Sequence, residues 1–105
     1  MSKFAWTWNV KPECIEEYVA MHKDPWPEIM KAHTAAGIRN YSIFQNGSQF
    51  FYEYECDDPD AANKYLAENE DCKRWNAITS KMVAGSFDLG AENPIDYLDE
   101  VFYLK

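Results

Sequence analysis

Residues 3–10 alternate strictly between two sets of side chains. Phe4, Trp6, Trp8 and Val10 would lie on one face of an extended strand, and the residues between them on the other. A period of two is the spacing of a β-strand, because successive side chains leave a strand on opposite faces. The pattern therefore predicts a first strand over residues 3–10.

The period then changes to that of a helix. Ile15, Tyr18, Val19 and His22 stand at i, i+3, i+4 and i+7, so on a helix they form one stripe. This stripe is apolar apart from one phenol and one imidazole. Pro12 suits the opening turn of such a helix, which we expect to run to about His22.

Two prolines then surround Trp26 and interrupt the helical pattern. The break is predicted at Asp24-Pro25, and a second helical segment at 26–36. Gly37 would stop that segment at the position after the helix, where glycine is favoured.

The remaining chain predicts a hairpin, two helical segments and a final strand. The hairpin joins 38–45 to 49–55 through Asn46-Gly47, the strongest short hairpin signal. The other elements are a helix capped by Asp57-Asp58-Pro59 that runs to about Glu68, a helix at 70–83, a loop at 85–94 and a strand at 97–104.

The element order is therefore βαββαβ in one domain, residues 1–105. The predicted fold class is α+β and ferredoxin-like, with helices on one face of a four-stranded sheet. Large aromatic side chains occur on both faces of the strands, and a bare apolar face of more than a few hundred Å² is unusual on a monomer. We therefore expect a homodimer, a dimeric α/β barrel that encloses a cavity of aromatic and hydroxylic side chains.

Composition narrows the function. The formal net charge of −8 over 105 residues argues against nucleic acid or an anionic membrane as a partner. No signal peptide is expected, because no positively charged start is followed by an apolar run. No membrane span is expected, because no apolar run approaches about 18 residues. Cys14, Cys56 and Cys72 lack C-x-x-C spacing, and the two histidines lack H-x-x-x-H spacing. We predict a cytoplasmic location and no metal site.

His22 is the candidate catalytic residue, because its ordinary pKa lies near neutral pH. Tyr18 lies one turn before it, and Tyr41 and Trp75 are expected to lie opposite. Aromatic rings that pack on the C–H faces of a pyranose, together with hydroxyl groups, suit a monosaccharide. Core packing explains Tyr41 and Trp75 equally well, and a core or helix-end histidine is the alternative for His22. His33 is interpreted as a solvated helix residue.

The sequence contains no nucleophile motif, phosphate-binding loop or dinucleotide fingerprint. What remains is a reaction that needs only proton transfer, and the exchange of sugar anomers is such a reaction. General acid–base assistance of about 10²–10⁴-fold is sufficient there, because the uncatalysed exchange already proceeds in water.

Several motifs together resemble the L-rhamnose mutarotase family over essentially the whole chain. They are Glu16-Glu17-Tyr18 with His22, Trp26-Pro27-Glu28, Gly37, Asn40-Tyr41, Arg74-Trp75 and Glu100-Val101-Phe102-Tyr103-Leu104. The resemblance implies a small dimeric α+β barrel that interconverts the α and β anomers of L-rhamnose without a cofactor. It also implies that His22 is the proton donor and that Tyr18, Tyr41 and Trp75 bind the sugar.

Two departures from the family pattern concern the ligand. Lys23-Asp24-Pro25 stands where the family commonly has Asn-Pro, and Asn76 replaces the second member of a sugar-binding tryptophan pair. Asn76 removes apolar packing and supplies an amide for a sugar hydroxyl, so another deoxysugar, such as one like L-fucose, is an alternative substrate. Two other functions remain as alternatives on this scaffold: a cofactor-independent oxygenase-like or haem-degrading enzyme, and a non-catalytic metabolite-binding dimer.

Overall fold

The chain forms a three-stranded antiparallel sheet and four α-helices in a computed structural model that describes residues 1–105. In chain order the elements are β1 (Ser2–Asn9), a 3-10 turn (Pro12–Cys14), α1 (Ile15–Lys23), α2 (Pro27–Ala35), β2 (Arg39–Asn46), β3 (Gln49–Cys56), α3 (Pro59–Glu68) and α4 (Glu70–Thr79). The strand order is β1-β3-β2, so β3 is central. The two longest helices, α3 and α4, have ten residues each, and none of the four has the length and apolarity of a bilayer-spanning helix.

Strand β1 keeps the predicted alternation, and its apolar side chains lie on the inner face of the sheet. Trp6 is paired with Tyr52, and Trp8 with Phe50, in register with β3. Trp6 and Tyr52 are 3% and 2% exposed, and their rings stack with centroids 5.1 Å apart. Burial and cross-strand stacking make this aromatic layer the surface against which the helices pack.

The predicted hairpin forms, but its turn lies one residue later than the Asn46-Gly47 pair suggests. Asn46 and Gln49 pair across the two strands, which leaves Gly47 and Ser48 as the loop. Gly47 has a φ of +64°, and Ser48 has no positive φ. This combination is typical of a type II′ turn, which needs glycine at its first central position.

The break between the first two helices falls at the predicted prolines. Helix α1 begins at Ile15, behind a 3-10 turn that starts at Pro12, and ends at Lys23. Pro27 is the first residue of α2, where a missing N–H removes no helical hydrogen bond. Gly37 follows α2 with a φ of +89°, as its predicted place after the helix requires.

Side-chain caps begin the last two helices. Asp58 accepts a backbone hydrogen bond of 3.1 Å at the start of α3, and Asn69 accepts one of 3.0 Å at the start of α4. Helix α4 ends at Thr79 rather than at the predicted Val83. Val83 instead forms an isolated antiparallel bridge with Val10, which joins the end of this segment to the end of β1.

The predicted fourth strand at 97–104 is wrong, and the element order ends after α4. The N–H of Leu98 donates to the carbonyl oxygen of Ala5 at 2.7 Å, on the edge strand β1. Beyond this bond, Val101 and Phe102 are 94% and 72% exposed. The β-branched and aromatic residues of this segment favour a strand by composition. A strand also needs a continuous row of hydrogen bonds to a neighbouring strand, and β1 supplies only the bond to Leu98.

We expect Gly47→Ala to lower the free energy of unfolding by about 1–2 kcal/mol, because a Cβ is strained in the left-handed region. No heavy atom lies within 4 Å of the added Cβ, so the loss would report backbone strain alone. Urea denaturation followed by tryptophan fluorescence measures it. Ser48→Ala is the control and should lose little, since Ser48 has no positive φ. Equal losses in the two variants would contradict the assigned turn.

Candidate active site

A cavity of about 810 Å³ lies over the inner face of the sheet and is lined by residues from all three strands and all four helices. Its volume is that of a small-molecule site. The five residues selected from the sequence all line this one cavity: Tyr18, His22, Tyr41, Trp75 and Asn76. They come from α1, β2 and α4, so the fold brings together side chains that are far apart in sequence.

His22 lies in the last turn of α1, and one of its ring nitrogens is fixed. Nδ1 is 2.7 Å from the carbonyl oxygen of Tyr18, one turn earlier. A carbonyl oxygen only accepts, so Nδ1 donates, and Nε2 is the atom that gains or loses a proton. The imidazole packs against the rings of Tyr18 and Trp75, with centroids 4.4 and 5.5 Å away. Burial lowers the pKa of His22, and the hydrogen bond to Tyr18 opposes this shift.

Trp75 forms one wall of the cavity, and Trp26 supports it. Trp75 is 6% exposed, and the ring of Trp26 meets it edge-on with centroids 5.0 Å apart. Trp26 is the N-cap residue of α2, directly before Pro27. The proline-bracketed kink that separates α1 from α2 therefore also positions the ring that orients Trp75.

A buried pair of phenols lies next to His22. The hydroxyl groups of Tyr18 and Tyr52 are hydrogen-bonded at 2.7 Å. Burial raises the pKa of Tyr18 to about 12, against the opposing effect of this hydrogen bond, and burial also raises the pKa of Tyr52 and of Tyr41. At neutral pH these phenols are protonated, so they donate and accept hydrogen bonds and do not act as bases.

Tyr52 and Tyr54 also line the cavity, although the sequence analysis did not select either residue for the site. The Tyr54 ring meets Tyr41 edge-on with centroids 5.4 Å apart, and its hydroxyl is 3.2 Å from the hydroxyl of Tyr97. Trp6 also lines the cavity, and its buried Nε1 has no hydrogen-bond partner within the protein. The signal available in the sequence was the alternation of β1 and β3, which put these rings on one face.

The interpretation of His33 as a solvated helix residue is wrong. His33 is half-buried and lines the same cavity as His22. Its Nδ1 is 2.8 Å from the carbonyl oxygen of Ile29, and its ring centroid is 5.7 Å from that of Tyr41. Burial lowers the pKa of His33, and the charge of the nearby His22 lowers it further. The missed signal is its spacing of i+4 from Ile29, a core residue on the buried side of α2.

No carboxylate lines the cavity, although the chain carries a net charge of −8. The charged lining residues are Lys23 and Arg39, and the Arg39 guanidinium donates to the carbonyl oxygens of Thr34 and Ile38 at 2.9 and 2.8 Å. The two imidazoles are therefore the only lining groups whose ordinary pKa lies near neutrality. No three His, Cys, Asp or Glu side chains are placed to hold a metal ion together.

Asn76 lies at the boundary between this cavity and a smaller one of about 200 Å³. It lines both, and the smaller cavity is also bounded by the polar side chains of Lys73, Ser80 and Asp88. An amide at this boundary offers both a donor and an acceptor to a ligand.

Three comparisons with known proteins agree. The sequence profile of the L-rhamnose mutarotase family matches residues 3–104. Relatives described as L-rhamnose mutarotase include one from Bacillus subtilis, 38% identical over 92 residues and 85% of each chain, and one from Ligilactobacillus salivarius, 36% identical over 103 residues and 91% of each chain. The crystal structure of an L-rhamnose mutarotase from Formosa agariphila covers 100% of both chains with a TM-score of 0.77 at 22% identity, which confirms the ferredoxin-like α+β fold class.

The matches also bear on the alternatives that the sequence left. The matched proteins are described as mutarotases, which favours an isomerase over an oxygenase-like enzyme or a non-catalytic metabolite-binding dimer. The profile match spans nearly the whole chain, and the resemblance found in the sequence motifs is confirmed. The chain belongs to the L-rhamnose mutarotase family of isomerases.

Proposed function

We propose that this chain interconverts the α and β anomers of L-rhamnose or a closely related deoxysugar, with no cofactor and with His22 as general acid and base. The observation that carries the proposal is the state of His22 in the cavity. Its Nδ1 is held by a main-chain carbonyl, and the His22 side chain lines a cavity without carboxylates. This arrangement suits proton transfer to and from an uncharged ligand.

The reaction needs one proton added to the ring oxygen and one removed from the anomeric hydroxyl. Both oxygen atoms are bonded to the anomeric carbon. Nε2 of protonated His22 donates to the ring oxygen, the anomeric hydroxyl loses its proton to a base, and the bond between the anomeric carbon and the ring oxygen breaks. The resulting open-chain aldehyde rotates by half a turn. The hydroxyl formed from the ring oxygen then attacks the other face of the aldehyde and returns its proton to His22, while the new anomeric oxygen regains a proton.

The other lining residues suit a sugar. The rings of Tyr18 and Trp75 flank His22 and offer apolar faces to the C–H bonds of a pyranose. The indole N–H of Trp6 is a buried donor without a protein partner, a state that costs about 1–3 kcal/mol. Trp6 therefore contributes its ring, and not this N–H, to the lining that a sugar meets.

We assign to Asn76 the preference of the site for one deoxysugar over another. A tryptophan at this position would add an apolar surface next to Trp75, whereas the amide offers hydrogen bonds at the boundary of the two cavities. We therefore include deoxysugars other than L-rhamnose, such as L-fucose, among the proposed substrates.

We expect His22→Ala to lower the rate of anomer exchange by at least about tenfold, because it removes a positioned acid–base group. NMR saturation transfer between the anomer resonances of L-rhamnose and of L-fucose measures the rate and compares the two sugars. Lys31→Ala is the control, since Lys31 is exposed on α2 and does not line the cavity. Full exchange activity in His22→Ala would show that the role assigned to His22 is incorrect.

We also propose that the active form is a homodimer. On the outer face of the sheet, Phe51 is 37% exposed. It pairs in register with Phe44, which is 62% exposed and lies on the edge strand β2, where it also borders the cavity. Lys3, on the same face, lies 4.4 Å from the ring of Tyr103, so the exposed C-terminal segment runs beside it. Apolar side chains grouped on one surface mark an interface, and Val101 is 94% exposed in the single chain. Strand β2 also lines the cavity, so a partner on this face would lie near the site.

The wild-type chain should have about twice its 12.3 kDa mass in light scattering, and Phe51→Glu should have the mass of one chain. A carboxylate at position 51 would be buried without a partner in the proposed interface. Ile78→Glu is the matched control, because Ile78 is 39% exposed and lies on α4, away from the sheet. A wild-type mass near 12.3 kDa would rule out the dimer.

A cytoplasmic location is part of the proposal. All three cysteines are free, and two of them, Cys56 and Cys72, are buried as small packing residues. Unpaired buried thiols suit a reducing compartment.

A further inference from the structure

We propose that His33 is the second proton-transfer group of this site. Its Nε2 removes the proton of the anomeric hydroxyl while His22 protonates the ring oxygen, and the two imidazoles return these protons when the ring closes. The inference rests on the proposed anomer exchange and supplies the base that this exchange requires.

The two histidines have the same local construction. Each lies on a helix and donates from Nδ1 to the carbonyl oxygen four residues earlier, at 2.7 Å for His22 and 2.8 Å for His33. Each ring therefore leaves Nε2 as its only titrating atom. Both imidazoles line the same cavity, one from α1 and one from α2.

The chemistry calls for two such groups. The proton that is added and the proton that is removed belong to two different oxygen atoms on one carbon. A single imidazole serves both oxygens only if it moves between them, and the hydrogen bond from His22 to the Tyr18 carbonyl restrains that motion. A second imidazole, fixed in the same way on another helix, allows each oxygen its own partner.

No other lining side chain is a suitable base. The charged and titratable lining groups besides the two histidines are Lys23, Arg39, Tyr18, Tyr41, Tyr52 and Tyr54. The ammonium and guanidinium groups have no lone pair to accept a proton. Burial raises the pKa of every one of the four phenols. Carboxylates are absent from the lining.

The charges of the two imidazoles are coupled in the direction that the reaction needs. A positive charge on His22 lowers the pKa of His33, so the pair holds one proton more readily than two. One imidazolium and one neutral imidazole are the acid and the base of the first step. After that step the proton has moved from His22 to His33 by way of the sugar, and ring closure reverses the transfer.

The first experiment compares His33→Gln with the wild type by NMR saturation transfer over a range of L-rhamnose concentrations. We expect kcat to fall at least about tenfold and KM to change little, because an acid–base group acts in the transition state. The low-pH decrease of the wild-type kcat, due to protonation of the base, should disappear in the variant. Lys31→Gln, an exposed change on the same helix, is the control and should keep the wild-type rate.

The second experiment separates proton transfer from packing. The exchange that imidazole catalyses without protein is measured separately and subtracted. After this subtraction, added imidazole should restore part of the rate of His33→Ala, and it should not raise the rate of the wild type or of Lys31→Gln. A kcat of His33→Gln equal to that of the wild type, a loss confined to KM, or a His33→Ala variant that imidazole does not rescue would each overturn the proposal. Loss of activity in His22→Ala with full activity in His33→Gln would leave the proposed function standing without this second group.

The wild-type protein supplies a test that needs no variant, should position 33 be required for folding. In protein labelled with ¹⁵N-histidine, L-rhamnose should shift the Nε2 resonances of both His22 and His33. A shift of the His22 resonance alone would overturn the proposal.

Discussion

The hydrogen bond from His22 Nδ1 to the carbonyl oxygen of Tyr18 is the interaction on which the rest of the site depends. A main-chain acceptor does not titrate, and it cannot rotate away unless the helix unwinds, so the tautomer of His22 is fixed by α1 itself. A carboxylate in the same place would stabilise the imidazolium and raise its pKa. The hydrogen bond to the Tyr18 carbonyl also raises the pKa of His22, but burial is the larger effect, so this pKa lies below its ordinary value.

The geometry around this imidazole is determined by aromatic packing against the sheet. Phe50 contacts the ring of Tyr18 edge-on at 5.1 Å, and Tyr52 holds its hydroxyl at 2.7 Å. Both come from the central strand β3, which is paired on both sides. Tyr18 therefore lines the cavity and also anchors α1 to the sheet. At the start of α2, Trp26 packs against Trp75, which lines the same cavity. Packing that stabilises the fold and packing that positions the site involve the same rings.

The elements that the sequence predicted correctly have local causes. The alternation of β1, the proline break before α2 and the glycine after it depend on nearest neighbours along the chain, and so does the i, i+4 relation of Tyr18 to His22. The strand expected at 97–104 depends on a partner edge, which composition does not report. His33 was misassigned because the rotation of α2 about its axis is determined by tertiary packing of Ile29 and its neighbours. The meeting of Tyr41 and Trp75 in one cavity followed from the family resemblance, since core packing explained both residues equally well from pattern alone.

The negative charge of the protein and the burial of the two imidazoles act in opposite directions on the pKa of His22 and of His33. On α4, Asp71 and Arg74 form a pair of 2.6 Å on the outer side, while the next residue, Trp75, faces the cavity. Glu70 and Lys73 pair in the same way at 3.2 Å, and both are exposed. A negative surface favours the charged form of a histidine, but salt screens charges beyond about 8 Å at physiological ionic strength, whereas burial acts directly on the ring. Burial therefore dominates, and because a sugar is uncharged, the negative surface does not oppose its entry.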